Sequence, residues 1–347
     1  MNRPSDTHAT ASNAGDRAIS ATEMTADETM GPRKDAAVIG LVCTAHFFCH
    51  FYMFSFAPMF LLIQKDLGVG FTEMGAFLTA YAVAAGIGQY PMGILVDRIG
   101  ARPVLIGGMT LLATSVLMLG VLPVYPLMVA LAFLAGLGDS VFHPSDYTIM
   151  GANVRPSMMG LAFSIHTFSG FIGWTAAPLA MTALAHVWDW QTAFIVVGAA
   201  GLLIVLALLS KPGLTSAGGK QQRPDEGANR VPGYKLLTSP PILMMFLFFF
   251  IVGAVSLGVA QFLPAALNQK YGLPLVDANM TLTVFLFAGA IGVLIGGLLA
   301  DRTSRLDVVA AAGFATGAVA MVLIAFVELP LLLLAIVIGG GDHVEPG

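Results

Sequence analysis

The stretch Gly93-Ile-Leu-Val-Asp97-Arg98-Ile-Gly100-Ala-Arg102 interrupts a long apolar sequence with a short charged turn. A second copy of its core, Gly297-Leu-Leu-Ala-Asp301-Arg302, follows 204 residues later. Each copy comes directly after an apolar segment of about 20 residues, which is the length of a helix that crosses the hydrocarbon core of a membrane. The repeat therefore indicates two related sets of membrane helices.

Nine apolar segments of membrane-spanning length lie along the chain, and none of them contains Lys or Arg. Of the 347 residues, 57% are hydrophobic and 10% are charged, whereas a soluble domain has about 25% charged residues. Because only helices and closed barrels satisfy their backbone in lipid, and barrel strands would alternate over about 10 residues, these continuous runs predict an all-α polytopic membrane protein. The predicted spans are 36–63, 75–96, 103–123, 125–150, 158–184, 192–210, 241–266, 280–300 and 308–327, with a shorter tenth segment at 329–341.

The basic residues are distributed unequally between the two sides of the predicted spans. Fourteen of the 16 Lys and Arg residues fall in the N-terminal tail and in the loops on its side, and the other two are Lys65 and Lys270. Because basic loops remain in the cytoplasm, we predict a multi-pass protein of the inner (cytoplasmic) membrane with a cytoplasmic N-terminus. The lipid bilayer is its expected surroundings, and the net charge of −4 favours no binding to nucleic acid.

The repeat also predicts the domain organisation. Residues 1–35 form a disordered cytoplasmic tail, 36–210 a six-helix bundle, 211–239 a cytoplasmic linker and 240–347 an incomplete second bundle of about four spans. A weaker match supports this division, because Gly136-Leu-Gly138-Asp139 is similar to Gly339-Gly-Gly341-Asp342 at the closely related offset of 203 residues.

The charged turn, its second copy and the plan of six plus six spans resemble major facilitator superfamily transporters from about residue 36 onward. The resemblance implies a two-bundle fold with twelve spans, of which this chain would lack the last two and most of the tenth. It implies that Asp97 and Asp301 latch neighbouring helices when the cytoplasmic side is closed; the alternative is that each Asp-Arg pair only caps a turn. The predicted gating residues are Gly93, Asp97, Arg98, Gly100, Arg102, Gly297, Asp301 and Arg302.

A second resemblance concerns spans two, four and five. Phe142-His143-Pro144-Ser145, Gln89 shortly before Pro91, and Gly160-Leu-Ala-Phe-Ser164 are similar to the fosmidomycin-resistance group of drug exporters. One position departs from many proton-coupled exporters, which carry an Arg in span four where this chain has Ala132. A proton relay through that Arg therefore cannot be transferred to this sequence.

Polar side chains inside the predicted spans are the candidate functional residues, because such groups are costly in lipid. Asp139, His143 and Asp146 share one face of span four at positions i, i+4 and i+7, with Asp146 near the cytoplasmic surface. An Asp beside a His is a candidate protonation pair; the alternative is a structural hydrogen-bonded pair. The predicted residues of a solute or proton cavity are His46, His50, Gln89, Asp139, His143, Asp146, His166 and Gln261.

The sequence has no phosphate-binding loop, dinucleotide fingerprint or zinc-ligand spacing, so we expect no cofactor, no metal and no enzymatic activity. Cys43 and Cys49 are interpreted as helix-packing residues. The predicted function is secondary active transport of a small solute by a monomer through alternating access, coupled to protons. Drug efflux and organic-acid uptake both remain open. The alternative is a non-transporting sensor or scaffold, or an inactive fragment of a transporter.

Overall fold

A computed structural model describes residues 31–217, 238–300 and 305–326. All regular secondary structure within these ranges is helical. Eight of the helical stretches are long and apolar enough to cross a membrane, and a further helix, Leu306–Phe326, coincides with the ninth predicted segment. The predicted all-α membrane fold is therefore confirmed. The tenth segment, Asp301 and Arg302 lie outside the described residues.

The spans follow one another with short connections. In order they are span one (Pro32–Ser55, Ala57–Met59 and Phe60–Leu67), span two (Phe71–Ile99), span three (Ala101–Val121), span four (Tyr125–Asp139 and Phe142–Asn153), span five (Met159–Val187, after Pro156–Met158), span six (Trp190–Ser210), span seven (Pro240–Tyr271) and span eight (Leu275–Ala300). Pro212–Thr215 forms a short helix after span six.

The spans alternate in direction, so their connections lie at two ends of the molecule. We call the end with Arg98, Arg102 and Arg155 the basic end, and the other the opposite end. At the basic end, Arg155 pairs with the buried carboxylate of Asp35 at 2.7 Å. At the opposite end, the exposed Asp189 begins span six and accepts a hydrogen bond from the Thr192 backbone N–H. Hydrogen bonds from Thr192 lower the pKa of the Asp189 carboxyl, as expected for a helix N-cap.

Two of the spans are interrupted near proline. Span four is broken at Ser140 and Val141, because Pro144 has no N–H to donate to the Ser140 carbonyl. Span one passes through a single 3-10 turn, Ala57–Met59, that contains Pro58. Such breaks leave backbone carbonyls free within a membrane protein only where protein or an internal cavity surrounds them.

Spans one to six, the first half, and the later spans, the second half, meet at the opposite end. The Gln261 side chain in span seven donates a hydrogen bond to the Met53 carbonyl at 2.7 Å. Asn279 in span eight donates to the Thr182 hydroxyl at 2.9 Å and to the Pro58 carbonyl at 3.1 Å. Near the basic end, by contrast, residues 243–251 of span seven are mostly exposed. The halves are thus in contact at the opposite end, and the described residues 243–251 of span seven are not covered by the first half.

The charged turn depends on a glycine at Gly100, which has φ 95° and ψ 154°, a region nearly restricted to glycine. We expect Gly100→Ala to lower the stability of the protein by about 1–3 kcal/mol through backbone strain. Thermal unfolding in detergent measures this change. Gly107→Ala is the matched control, because Gly107 has ordinary helical geometry and open space around it; equal unfolding temperatures for the two variants would contradict the assignment.

Candidate functional site

Three buried side chains from three different spans meet inside the first half. The Asp146 carboxylate of span four lies 3.1 Å from His166 Nε2 of span five and 3.4 Å from His46 Nδ1 of span one, with the same oxygen, Oδ2, facing both. All three residues are at most 2% exposed. The rings of His46 and His166 stack with their centroids 3.7 Å apart. We call His46, Asp146 and His166 the inner cluster.

A second set of side chains, less buried, surrounds the inner cluster. The His50 ring lies 4.3 Å from the His46 ring and 4.7 Å from that of Trp174, while the His143 ring lies 5.5 Å from His46. Tyr147 is exposed, and its ring lies 5.7 Å from His143. We call His50, His143, Tyr147 and Trp174 the outer ring. It combines hydrogen-bonding groups with flat aromatic surfaces.

Span five passes close to the histidines of span one because of a glycine. A methyl group placed at Gly170 would be 3.0 Å from the His50 ring and 3.1 Å from His46 Nε2. The small residue therefore leaves room for both rings between spans one and five, as small residues do at membrane-helix interfaces.

Asp139 forms a separate polar site. It ends the first helical segment of span four, whereas Asp146 of the inner cluster lies in the second segment. Its half-buried carboxylate accepts a hydrogen bond from the Cys49 thiol at 2.7 Å, and the Tyr81 side chain of span two lies beside it. The stretches 36–63, 75–96 and 103–123 of the neighbouring spans contain no Lys or Arg to pair with it. Asp139 is thus a carboxylate inside the bundle that accepts a hydrogen bond from a weak, neutral donor.

The predicted cavity residues divide into two groups. The structure brings together His46, His50, His143, Asp146 and His166, with Asp139 close by. Gln89 is exposed on span two, and Gln261 bonds to Met53 between the halves, so neither joins the cluster. Asp146 is fully buried, because spans one and five cover it. A cavity of about 360 Å³ between spans five and eight includes His186 and lies at the opposite end.

The predicted gating residues of the first copy lie at the basic end. Asp97 and Arg98 are exposed, and Gly93 lies on span two. Arg102 donates hydrogen bonds to the carbonyls of Leu208 and Leu209 at 3.4 and 3.0 Å, so it caps the last turn of span six. In the second copy, Gly297 falls within span eight, whereas Asp301 and Arg302 are outside the described residues.

Three contributors were missed or misread from the sequence. Cys49 was interpreted as packing only, yet its thiol contacts Asp139. Tyr81 and Asn279 were not singled out, although the buried Tyr81 hydroxyl lies beside Asp139 and Asn279 bonds to Thr182. Tyr81 lies inside the predicted span 75–96, where a polar side chain was a usable signal, whereas Asn279 falls one residue before the predicted span 280–300.

The sequence profile of the Major Facilitator Superfamily matches residues 42–342 of the chain. The chain belongs to this superfamily. The family resemblance of the charged turn is therefore confirmed, and the chain falls among membrane transporters.

Curated relatives and solved structures agree with this membership. The fosmidomycin resistance protein of Escherichia coli is 26% identical over 291 residues, 81% of this chain and 69% of that protein. A probable galactarate/D-glucarate transporter of Bacillus subtilis is 23% identical over 275 residues, 69% of this chain and 58% of that protein. The inward-facing structure of a bacterial homologue of the human lysosomal transporter Spinster superposes with a TM-score of 0.75 at 14% identity, covering 90% of this chain and 74% of that one. This facilitator chain thus spans between about three fifths and three quarters of the lengths of these proteins.

Proposed function

We propose that the chain is a proton-coupled secondary transporter of a small organic acid, with Asp139 as the proton-carrying group. The observation that carries the proposal is the half-buried Asp139 carboxylate, which has a thiol at 2.7 Å and no cationic partner from the neighbouring spans. An ionisable residue inside a membrane bundle is costly, and such residues commonly form proton pathways.

The surroundings of Asp139 suit reversible protonation. Span one contributes Cys49 and span two contributes Tyr81, while span three contributes no titratable group within the membrane. Along span four the next titratable side chains are His143 and Asp146, one and two turns away. A carboxylate with only neutral neighbours at bonding distance exchanges a proton without breaking a salt bridge, which in a low dielectric would be strong.

The outer ring is the proposed solute site. Imidazole groups of His50 and His143 offer hydrogen bonds to an acid, and Trp174 and Tyr147 offer flat apolar contacts. Ligand sites commonly combine apolar walls with a few placed polar groups in this way. The relatives include a protein named for fosmidomycin resistance and a probable galactarate/D-glucarate transporter. Both export and uptake therefore remain as directions of transport for a small acidic solute.

Membrane placement forms part of the same proposal. We infer an inner-membrane protein, acting as a monomer, whose basic end faces the cytoplasm. Arg98, Arg102 and Arg155 at that end, together with most other basic residues of the sequence, support this orientation by the positive-inside rule.

Alternating access predicts that the contacts at the opposite end stabilise the observed conformation. We expect Asn279→Ala, which removes two hydrogen bonds between the halves, to shift the population toward a form open at the opposite end. Each lost bond is worth about 1 kcal/mol. Spin labels attached at Val187 and Val276, both exposed at that end, should report a larger fraction of long distances. The control is Thr281→Ala, whose hydroxyl bonds only within its own helix; an equal distance distribution in all three proteins would contradict the role of Asn279.

A substrate panel tests the proposed activity. The chain is reconstituted in liposomes and offered labelled aldaric acids, other small carboxylates and fosmidomycin under an imposed pH gradient. We expect at least one acidic solute to move in a direction set by the gradient. The competing hypothesis, a non-transporting scaffold or an inactive fragment, predicts no movement of any solute under any gradient, and that result across the panel would replace the proposal.

A further inference from the structure

We propose that the inner cluster is a binding site for a divalent transition-metal ion of the zinc type. The ligands would be His46, Asp146 and His166, and metal binding by them goes beyond the proposed transport function. No local zinc spacing exists in the sequence, because each ligand comes from a different span and the three are 100 and 20 residues apart.

The ligand set is typical of zinc. Two imidazoles and one carboxylate form a common three-residue zinc site that leaves a fourth position open, and imidazole nitrogen also suits nickel and copper. The three candidate ligand atoms lie within 4.8 Å of one another. Hard cations such as magnesium prefer oxygen ligands, so this site favours a transition metal.

The distances between the ligand atoms fit a shared ion. Asp146 Oδ2 is 3.1 Å from His166 Nε2 and 3.4 Å from His46 Nδ1. Two ligands of a tetrahedral ion with bonds of about 2.0–2.1 Å are separated by about 3.3 Å. The stacked rings of His46 and His166 would have to rotate for both nitrogens to face one ion.

Unsatisfied polar atoms point to the same place. Among the described residues, His46 Nδ1 and the second carboxylate oxygen of Asp146 have no hydrogen-bond partner, although both are buried. A buried polar atom without a partner costs about 1–3 kcal/mol. A bound cation would satisfy His46 Nδ1, and it would also satisfy the second Asp146 oxygen where the carboxylate binds through both of its oxygens.

A second group of potential ligands shares His46 but fits less well. His46, Cys49 and His50 also lie within 4.8 Å of one another, all on span one. The Cys49 thiol is already bonded to Asp139, so its use as a ligand would break that contact. The inner cluster requires no such exchange, and His50 or His143 remains available beside it for the fourth position.

The direct test is metal binding by the purified chain, without any transport assay. The protein is prepared without a histidine tag, stripped with a chelator and titrated with Zn²⁺ by calorimetry. We expect saturable binding of one ion, and the visible spectrum of Co²⁺ bound in its place should show tetrahedral coordination. Removal of a residue that only orients a metal ligand typically weakens metal affinity tenfold to 100-fold. Removal of one of the three direct ligands should weaken Zn²⁺ binding at least as much.

Variants of the three ligands locate the site, and measurements of folding distinguish loss of binding from unfolding. His46→Ala, Asp146→Asn and His166→Gln should each weaken Zn²⁺ binding, and His166→Gln retains a polar side chain beside Asp146. His186→Ala is the matched control, because His186 is exposed at the opposite end. Circular dichroism and gel filtration show which variants are folded. Absence of saturable binding in the unsubstituted chain, or binding unchanged in folded His166→Gln, would overturn the proposal.

Discussion

Asp139→Asn should reduce proton-driven solute transport to the level of liposomes without protein, while the variant still inserts and folds. Asparagine has nearly the same shape and can still accept a hydrogen bond from the Cys49 thiol, but it cannot bind and release a proton. The measurement is the initial rate of solute movement with and without a pH gradient. Solute exchange at equal pH on both sides should persist, because that process needs no net proton movement.

The control for this variant is Asp189→Asn. Asp189 caps span six at the opposite end and is exposed, and Asn is as good an N-cap as Asp. Its transport rate should therefore equal that of the unsubstituted chain. Gradient-driven transport that survives in Asp139→Asn would remove Asp139 from the coupling mechanism.

Gly138→Val should prevent the first half from folding. A Cβ atom at Gly138 would lie 2.7 Å from the Gly108 carbonyl oxygen and 2.7 Å from the Leu112 nitrogen of span three. These are backbone atoms, which cannot move aside unless spans three and four separate. Overpacking of a well-packed core costs about 1–3 kcal/mol and occasionally more, and a clash with backbone should fall at the upper end.

Gel filtration and thermal unfolding in detergent measure the effect of Gly138→Val. Gly107→Val is the control, because Gly107 also lies in span three but has open space where the side chain would go. We expect monodisperse protein for the control and aggregated or low-melting protein for Gly138→Val. A folded Gly138→Val protein with unchanged melting temperature would show that spans three and four pack less closely than described.

The spans were predictable because their signal is local. Each one is a continuous apolar run, and lipid permits few alternatives to a helix for such a run. The break in span four was also indicated by Pro144, which frees the Ser140 carbonyl. The family followed from the charged turn, in which Gly100 has a backbone conformation nearly restricted to glycine.

The convergence of the histidines was predicted in outline but not in detail. Four histidines inside spans indicated a shared cavity, yet the rotation of each helix decides which polar groups meet. Gln89 and Asp146 show this limit: one is exposed, and the other is covered by spans one and five. Cys49 and Asp139 are 90 residues apart in the sequence. Spacing rules that apply within one helix therefore cannot predict their contact.

The most direct test of the account is a simultaneous record of solute and proton movement. The chain is reconstituted in liposomes that contain a pH-sensitive dye, the membrane potential is clamped, and a gradient of an acidic solute from the panel is applied without a pH gradient. Proton coupling through Asp139 predicts a pH change inside the liposomes that accompanies solute movement and is absent in Asp139→Asn. Solute movement without any pH change in the unsubstituted chain would contradict proton coupling.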